Sequence, residues 1–321
     1  MHKDITFLLN PSEITAGTRG ASLGPAALIT AARKNKSKLF GEHEIVAIPD
    51  CNYLLDRDTK YTYAKNIEGL TEVFNHTAEK IKGIYTQGNF PFVLSGDHGS
   101  AGGTIAGIKS AFPEKRLGVV WIDAHGDIHS PYTTPSGNMH GMPLSTALNE
   151  DNLPCKVNEI SSEEKRLWDE LKGLHGITPK ILPEDLIFVG VRDLEEQEIA
   201  VINRLKVKNF QVEEVRNIGA KAVVEEIISR LSGCDIIYIS FDVDSMDPVY
   251  TSHGTGTPVD NGLLPLEAEE IMIGLTKSGK VSCIEFVEIN PCLDEKINTM
   301  AEVAFGLVEK LVAEVKGNYG K

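Results

Sequence analysis

Cysteine is scarce and dispersed in this chain. Cys51, Cys155, Cys234, Cys283 and Cys292 are odd in number and include no Cys-x-x-Cys pair, which argues against a disulfide framework and against a cysteine-built zinc site. A reducing, cytoplasmic location is the matching expectation. Long hydrophobic runs are missing too. No apolar stretch reaches the ~20 residues that span a bilayer, and Met1-His2-Lys3-Asp4 leads into a short strand-like run without a signal-peptide core. Positive charge is in deficit, with 32 Lys and Arg against 46 Asp and Glu for a formal net charge of −14. That balance argues against nucleic-acid backbones and anionic membranes, which call for clustered cations, and weakly favours a cationic ligand. Internal repeats, low-complexity tracts and a clear linker are also absent.

What the chain does have is 321 residues, 41% of them hydrophobic, enough to bury a sizeable core. Apolar runs at 5–9, 44–48, 90–94, 117–122, 186–190, 236–241 and 281–288 read as buried strands. Helical spacing separates them at 25–36, 65–85, 100–111, 163–171, 220–231, 265–275 and 294–315. Alternating strand and helix predicts an α/β fold with three layers, α/β/α, around a largely parallel sheet, in one domain spanning residues 1–321. The polar stretch 149–184, with Pro154, Pro179 and Pro183, reads as an excursion.

In such sheets ligands bind beyond the carboxyl ends of the strands. Three predicted strands end in segments rich in acids and imidazoles: Ser95-Gly96-Asp97-His98, Asp123-Ala124-His125-Gly126-Asp127, and Ser240-Phe241-Asp242-Val243-Asp244-Ser245-Met246-Asp247-Pro248. In extended chain, alternate side chains share a face, so Asp123, His125 and Asp127 can converge, as can Asp242 and Asp244. With His98 they make four carboxylates and two imidazoles. That set exceeds one zinc site and is too rich in nitrogen for a calcium loop, but it suits two divalent ions sharing bridging carboxylates, with Mn²⁺ the first choice. Two such ions can bring the pKa of a bridging water from ~15.7 toward neutrality, which predicts hydrolysis. Asp97 and Asp247 serve equally well as turn formers after strands.

On these residues the chain resembles the arginase/agmatinase family of ureohydrolases, binuclear manganese enzymes acting on guanidino and related amidino groups. The likeness runs from Gly17-Thr18-Arg19-Gly20-Ala21-Ser22-Leu23-Gly24-Pro25 to Glu288-Ile289-Asn290-Pro291. The resemblance implies one Mn²⁺ on His98, Asp123, Asp127 and Asp242 and a second on Asp123, His125, Asp242 and Asp244. It further implies attack of a metal-bridging hydroxide on the guanidinium carbon, His140 as proton shuttle, Glu288 pairing with the guanidinium, and Thr257 lining the site. Read without the family, His140 is a histidine in a polar loop and Glu288 a strand-end acid.

Thr134-Pro135-Ser136-Gly137-Asn138-Met139-His140-Gly141 resembles the arginase branch. By that likeness Thr134, Ser136 and Asn138 would bind a substrate α-carboxylate, while Asp193, Glu195 and Glu198 would sit near the α-amino group. Turn formation also accounts for Ser-Gly-Asn, and Glu196 reads as a solvated helix face. The substrate implied is L-arginine, cleaved to L-ornithine and urea, in a homo-oligomer, trimer or hexamer, without nucleic-acid or membrane partners. The chain departs from the family pattern at His129, where asparagine is usual, so that one contact to the substrate carboxylate is lost or replaced by an imidazole donor; at Glu195, where aspartate is usual; at Gly99, where serine usually follows the histidine; and in a longer loop at 252–254. These departures leave open agmatine, guanidinobutyrate or formiminoglutamate as substrates. Two further alternatives are amide hydrolysis on the related deacetylase fold and a catalytically silent arginase-like subunit.

Overall fold

Residues rich in β-branched and aromatic side chains, such as Val119-Val120-Trp121-Ile122, are buried on both faces of one sheet, as parallel strands covered by helices must be. The computed structural model describes residues 4–319; the Met1-His2-Lys3 start read for a leader lies outside the described residues, as do residues 320 and 321. Among the described residues the strands are β1 (Ile5–Asn10), β2 (Glu44–Ala47), β3 (Phe90–Ser95), β4 (Leu117–Ile122), β5 (Leu186–Val189), β6 (Lys208–Phe210), β7 (Ile236–Asp242) and β8 (Val281–Val287). They align in the order β2-β1-β3-β8-β7-β4-β5-β6. All pairings are parallel.

The helices are α1 (Gly24–Lys34), α2 (Leu39–Glu42), α3 (Ile67–Gln87), α4 (Ala101–Ala111), α5 (Pro143–Leu148), α6 (Ser162–Lys172), α7 (Glu196–Leu205), α8 (Val212–Ile218), α9 (Ala220–Arg230), α10 (Pro265–Lys277) and α11 (Thr299–Tyr319). Successive strand residues point to opposite layers. Val119 and Trp121 join a core with α3 to α7, while Val120 and Ile122 join one with α1, α2 and α8 to α11. Helix α3 shows why it sits there: its buried residues Ile67, Leu70, Val73, Phe74, Ala78 and Ile81 recur at three- and four-residue spacing.

Sequence periodicity located seven of these strands and missed β6, three residues long and only partly buried. It also missed α2, α5 and α8, each under ten residues, and gave α7 no bounds although Glu196, its first residue, reads as a helix face. The polar stretch 149–184 is not a free excursion. Its helix α6 opens with a capping box between Ser161 and Glu164 and buries Leu167, Trp168 and Leu171 against the sheet's α3 face.

Register decides what meets at the rim. Leu94 of β3 pairs with Phe286 of β8, Phe286 with Phe241 of β7, and Phe241 with Ile122 of β4. Four central strands therefore end level, and the next residues in line are Ser95, Val287, Asp242 and Asp123.

Candidate metal centre and substrate cleft

Two acids at the sheet's rim cannot accept charge without a partner, because burial penalises the ionised form. The loops after β3, β4 and β7 bring the partners. His98 follows β3 in a short 3₁₀ turn and is 1% exposed. Its Nδ1 lies 2.9 Å from Asp123 Oδ2, 3.0 Å from Asp127 Oδ2 and 3.2 Å from Asp242 Oδ2, yet it makes no aligned hydrogen bond. A buried imidazole nitrogen facing the same point as three carboxylate oxygens is the geometry of a cation's ligand set. Beside it, His125 Nδ1 lies 3.4 Å from Asp123 Oδ1 and 3.2 Å from Asp244 Oδ2. Asp123 thus touches both clusters, one with His98 and Asp127, the other with His125 and Asp244.

Protons balance the charge in this cluster. Burial, then the neighbouring Asp123, pushes Asp127 up to about 6, and burial with Asp244 and Asp123 pushes Asp242 well above the carboxylate range. Burial opposes charge on His98 and His125, but the surrounding carboxylates raise both. Divalent cations would displace those protons, and the donor set of four carboxylates and two imidazoles fits two of them.

Supporting groups hold these side chains in place. His98 Nε2 is 2.8 Å from Ser240 Oγ, which leaves Nδ1 for the cluster. Its ring stacks on Trp121 at 4.0 Å and 4°. The same indole donates from Nε1 to Asp123 Oδ2 at 2.9 Å. Thr257 donates its hydroxyl to Asp244 Oδ2 at 3.1 Å. Alternation along a strand could have nominated Trp121 and Ser240, since each sits two positions before a nominated aspartate.

Two of these residues have unusual backbones. Asp127 (φ 49) and Glu288 (φ 63) are both left-handed, a conformation that non-glycine residues adopt at a cost and that clusters at functional sites. Glu288 Oε1 accepts from the His98 amide at 2.9 Å and lies 3.8 Å from His140 Nδ1. Burial, then the Asp97 charge, holds Glu288 well above the carboxylate range. Enclosure by the cleft, then the nearby His125 and His98, pushes His140 down to about 4.

Every other nominated residue joins these in one cleft: Thr134, Ser136, Asn138, Asp193, Glu195, Glu198, His129 and Thr257 line it with His98, His125, Asp127, His140, Asp242 and Glu288. Asp123 and Asp244 lie just beneath, 0% and 1% exposed. The rim has two sides. On one, Thr134 Oγ1 accepts from the Gly137 amide and Ser136 Oγ from the Asn138 amide. Gly137 has φ +75, and a Cβ there would lie 1.9 Å from the Thr62 carbonyl, so only glycine fits. On the other side His129 bridges Thr133, at Nδ1 3.1 Å, and Glu195, at Nε2 3.1 Å. Hydrogen bonding to His129 draws Glu195 down to about 2, while burial beside it raises Glu198. Asp193 is exposed, 3.7 Å from His125 Nε2.

Asp247 is a turn former, accepting from the Val249 amide at 2.9 Å, whereas Asp97 makes no side-chain cap on the turn that follows it and instead ties the end of β3 to a distant loop, accepting from the Thr15 amide at 2.8 Å; Glu196 is exposed and outside the cleft. Gly99 has a steric reason, because a Cβ there would lie 2.3 Å from Thr15 Oγ1.

A family model described as the arginase family matches residues 3–313. The arginase of Bacillus subtilis (strain 168) is 32% identical over 314 residues, covering 98% of this chain and 99% of that one. The solved arginase of Bacillus caldovelox superposes with a TM-score of 0.82 at 33% identity, covering 97% and 98% of the two chains. The solved Entamoeba histolytica arginase in complex with L-ornithine gives a TM-score of 0.78 at 28% identity over 99% of each chain. With this sheet, these rim clusters and matches along nearly the whole length, the chain belongs to the arginase family and is a ureohydrolase.

Proposed function

We propose that this ureohydrolase hydrolyses the guanidino group of L-arginine to L-ornithine and urea with two Mn²⁺ ions per subunit. The observation that carries the reading is the division of one cleft: acids and imidazoles at its floor, hydroxyl and amide donors of Ser136 and Asn138 on one side of its mouth, and Asp193, Glu195 and Glu198 on the other. A molecule with a cationic planar end, a carboxylate and an amine is complementary to all three.

His98, Asp123, Asp127 and Asp242 would hold one ion and Asp123, His125, Asp242 and Asp244 the other. Bound there, the ions supply a water acidic enough to be a nucleophile at neutral pH. Glu288 pairs with the guanidinium and orients its carbon toward the floor. His140, which burial pushes down to about 4 and so keeps neutral, takes up on one ring nitrogen the proton released by the attacking water and passes it to the leaving amine of ornithine. Ser136 and Asn138 bind the α-carboxylate, Thr134 shapes their turn, and Asp193 and Glu198 face the α-amino group. Thr257 acts through Asp244.

One observation favours a second reading. Glu195, positioned to accept from an α-amino group, is already bonded to His129. A guanidino acid without that amine, such as 4-guanidinobutyrate, would leave the pair intact.

The test is to load purified protein with Mn²⁺, count metals per chain, and measure urea and amine from L-arginine, 4-guanidinobutyrate, agmatine and formiminoglutamate. Two metals with preference for L-arginine support the first reading, and preference for 4-guanidinobutyrate the second. Preference for agmatine defeats both. From its dispersed cysteines we place the enzyme in the cytoplasm, and by family likeness we read it as a homo-oligomer, trimer or hexamer. Among the described residues no helix is long and apolar enough to cross a membrane.

A further inference from the structure

The cleft presents an electrostatic problem to any substrate that carries a carboxylate. Asp193 and Glu195 are exposed at its mouth, Glu198 is buried behind them, and among the residues lining it none is lysine or arginine. Metal ions at the floor would offset the floor's own ligands. The mouth needs another source of positive charge, since a carboxylate approaching acids at short range is repelled unless a cation compensates.

Lys65 supplies one from behind the wall. Helix α3 starts at Ile67, so Lys65 lies in the segment leading into it, half-buried. Its Nζ donates to Asn138 Oδ1 at 3.1 Å, and its backbone amide donates to the Gly137 carbonyl at 3.0 Å. The segment is itself held: Glu164 of α6 accepts from the Tyr63 amide at 3.1 Å. Among the described residues no carboxylate lies within ion-pair distance of Lys65 Nζ, in contrast to Lys60, paired with Glu68, and Lys156, paired with Glu159.

The bond to Asn138 has a directional consequence. A lysine ammonium only donates, so the amide facing it must present its oxygen. That leaves Nδ2, the donor end, for an acceptor. Turned the other way, Asn138 would offer a carbonyl oxygen to an incoming carboxylate.

We propose that Lys65 is a positioning residue for substrate choice: by holding Asn138 Oδ1 and adding a positive charge behind the Ser136-Gly137-Asn138 turn, it makes the cleft select guanidino substrates that carry a carboxylate. This rests on reading the turn as the carboxylate site, and it applies equally to L-arginine and 4-guanidinobutyrate.

The experiment compares Mn²⁺-loaded wild type, Lys65→Met and Lys65→Arg on L-arginine, 4-guanidinobutyrate and agmatine, with metal content and thermal unfolding measured in parallel. Lys65→Met should raise KM for the preferred guanidino acid about ten-fold, the scale of one charge-assisted hydrogen bond, with kcat within about two-fold. Its kcat/KM for agmatine should not fall, and Lys65→Arg should recover most of the lost KM. In an Asn138→Ala background the Lys65→Met effect should shrink to the part that its charge alone contributes. Equal losses on all three substrates, or a guanidino-acid preference over agmatine as strong in Lys65→Met as in wild type, would overturn the role of Lys65. A wild type that prefers agmatine defeats the carboxylate reading itself, a failure visible without any variant.

Discussion

The floor of the cleft and its mouth are built by different means. The floor sits on or just beyond β3, β4, β7 and β8, whose ends are level, and its side chains are buried and crosslinked through Trp121, Ser240 and Thr257. The mouth is carried by loops: Ser136, Asp193 and Glu195 are exposed, and their geometry depends on contacts from distant segments such as Asn158, which donates to the Thr134 carbonyl at 2.7 Å. The departures that bear on substrate, His129 and Glu195, both fall at the mouth. On the function proposed above, chemistry that needs ångström precision is placed where the sheet supplies it, and recognition where residues change without disturbing the sheet.

The contrast breaks most severely at the floor. Asp242→Ala should lower turnover by at least about 10³-fold, the scale of removing charge stabilisation at a reacting centre, and should reduce the metals bound per chain in the same preparation. A variant with wild-type turnover would end the two-ion model. Trp121→Phe tests the layer beneath. It keeps an aromatic face under His98 but deletes the donor to Asp123, so metal affinity should drop about 10- to 100-fold in a competition titration while the fold persists.

At the mouth the effects should be smaller and selective. Ser136→Ala with Asn138→Ala should raise KM for L-arginine by about ten-fold or more, through lost bonds to a charged group, and leave agmatine hydrolysis and metal content unchanged. An equal loss on agmatine would mean that the turn supports the floor and not recognition.

The smallest effect concerns the His129 and Glu195 pair. Glu195 is held near 2 in the folded protein, below its ordinary value, so its contribution to stability is present above about pH 4.5 and fades as pH falls toward 2. Its side chain is 53% exposed, and solvent screening limits that contribution to less than about 1 kcal/mol. The difference in urea stability between wild type and Glu195→Gln should therefore be small at pH 7 and narrower at pH 3; a difference that widens on acidification would show that the pair does not stabilise the fold.

Much of this is legible in the sequence. Strands β3, β4, β7 and β8 were legible because fully buried parallel strands leave unbroken apolar runs, and the floor residues because alternation after such a run has few structural explanations. The mouth was legible mainly by likeness to a family. Lys65 carried no signal: it looked like the first residue of a helix, and only folding shows that α3 starts two residues later and frees its side chain for Asn138. The same holds for Asn158 and Glu164, polar residues in a stretch that reads as an excursion and instead braces the cleft.

By itself the sequence determined the layer order of strand and helix, the acid and imidazole groups, and the strand ends that carry them, because these follow from local periodicity and chemical type. Tertiary structure alone decided that four strands end in one row, that one imidazole nitrogen faces three carboxylates, that His129 closes on Glu195, and that Lys65 backs Asn138. Those depend on register and on contacts between residues far apart in the chain, and local pattern carries no information about either.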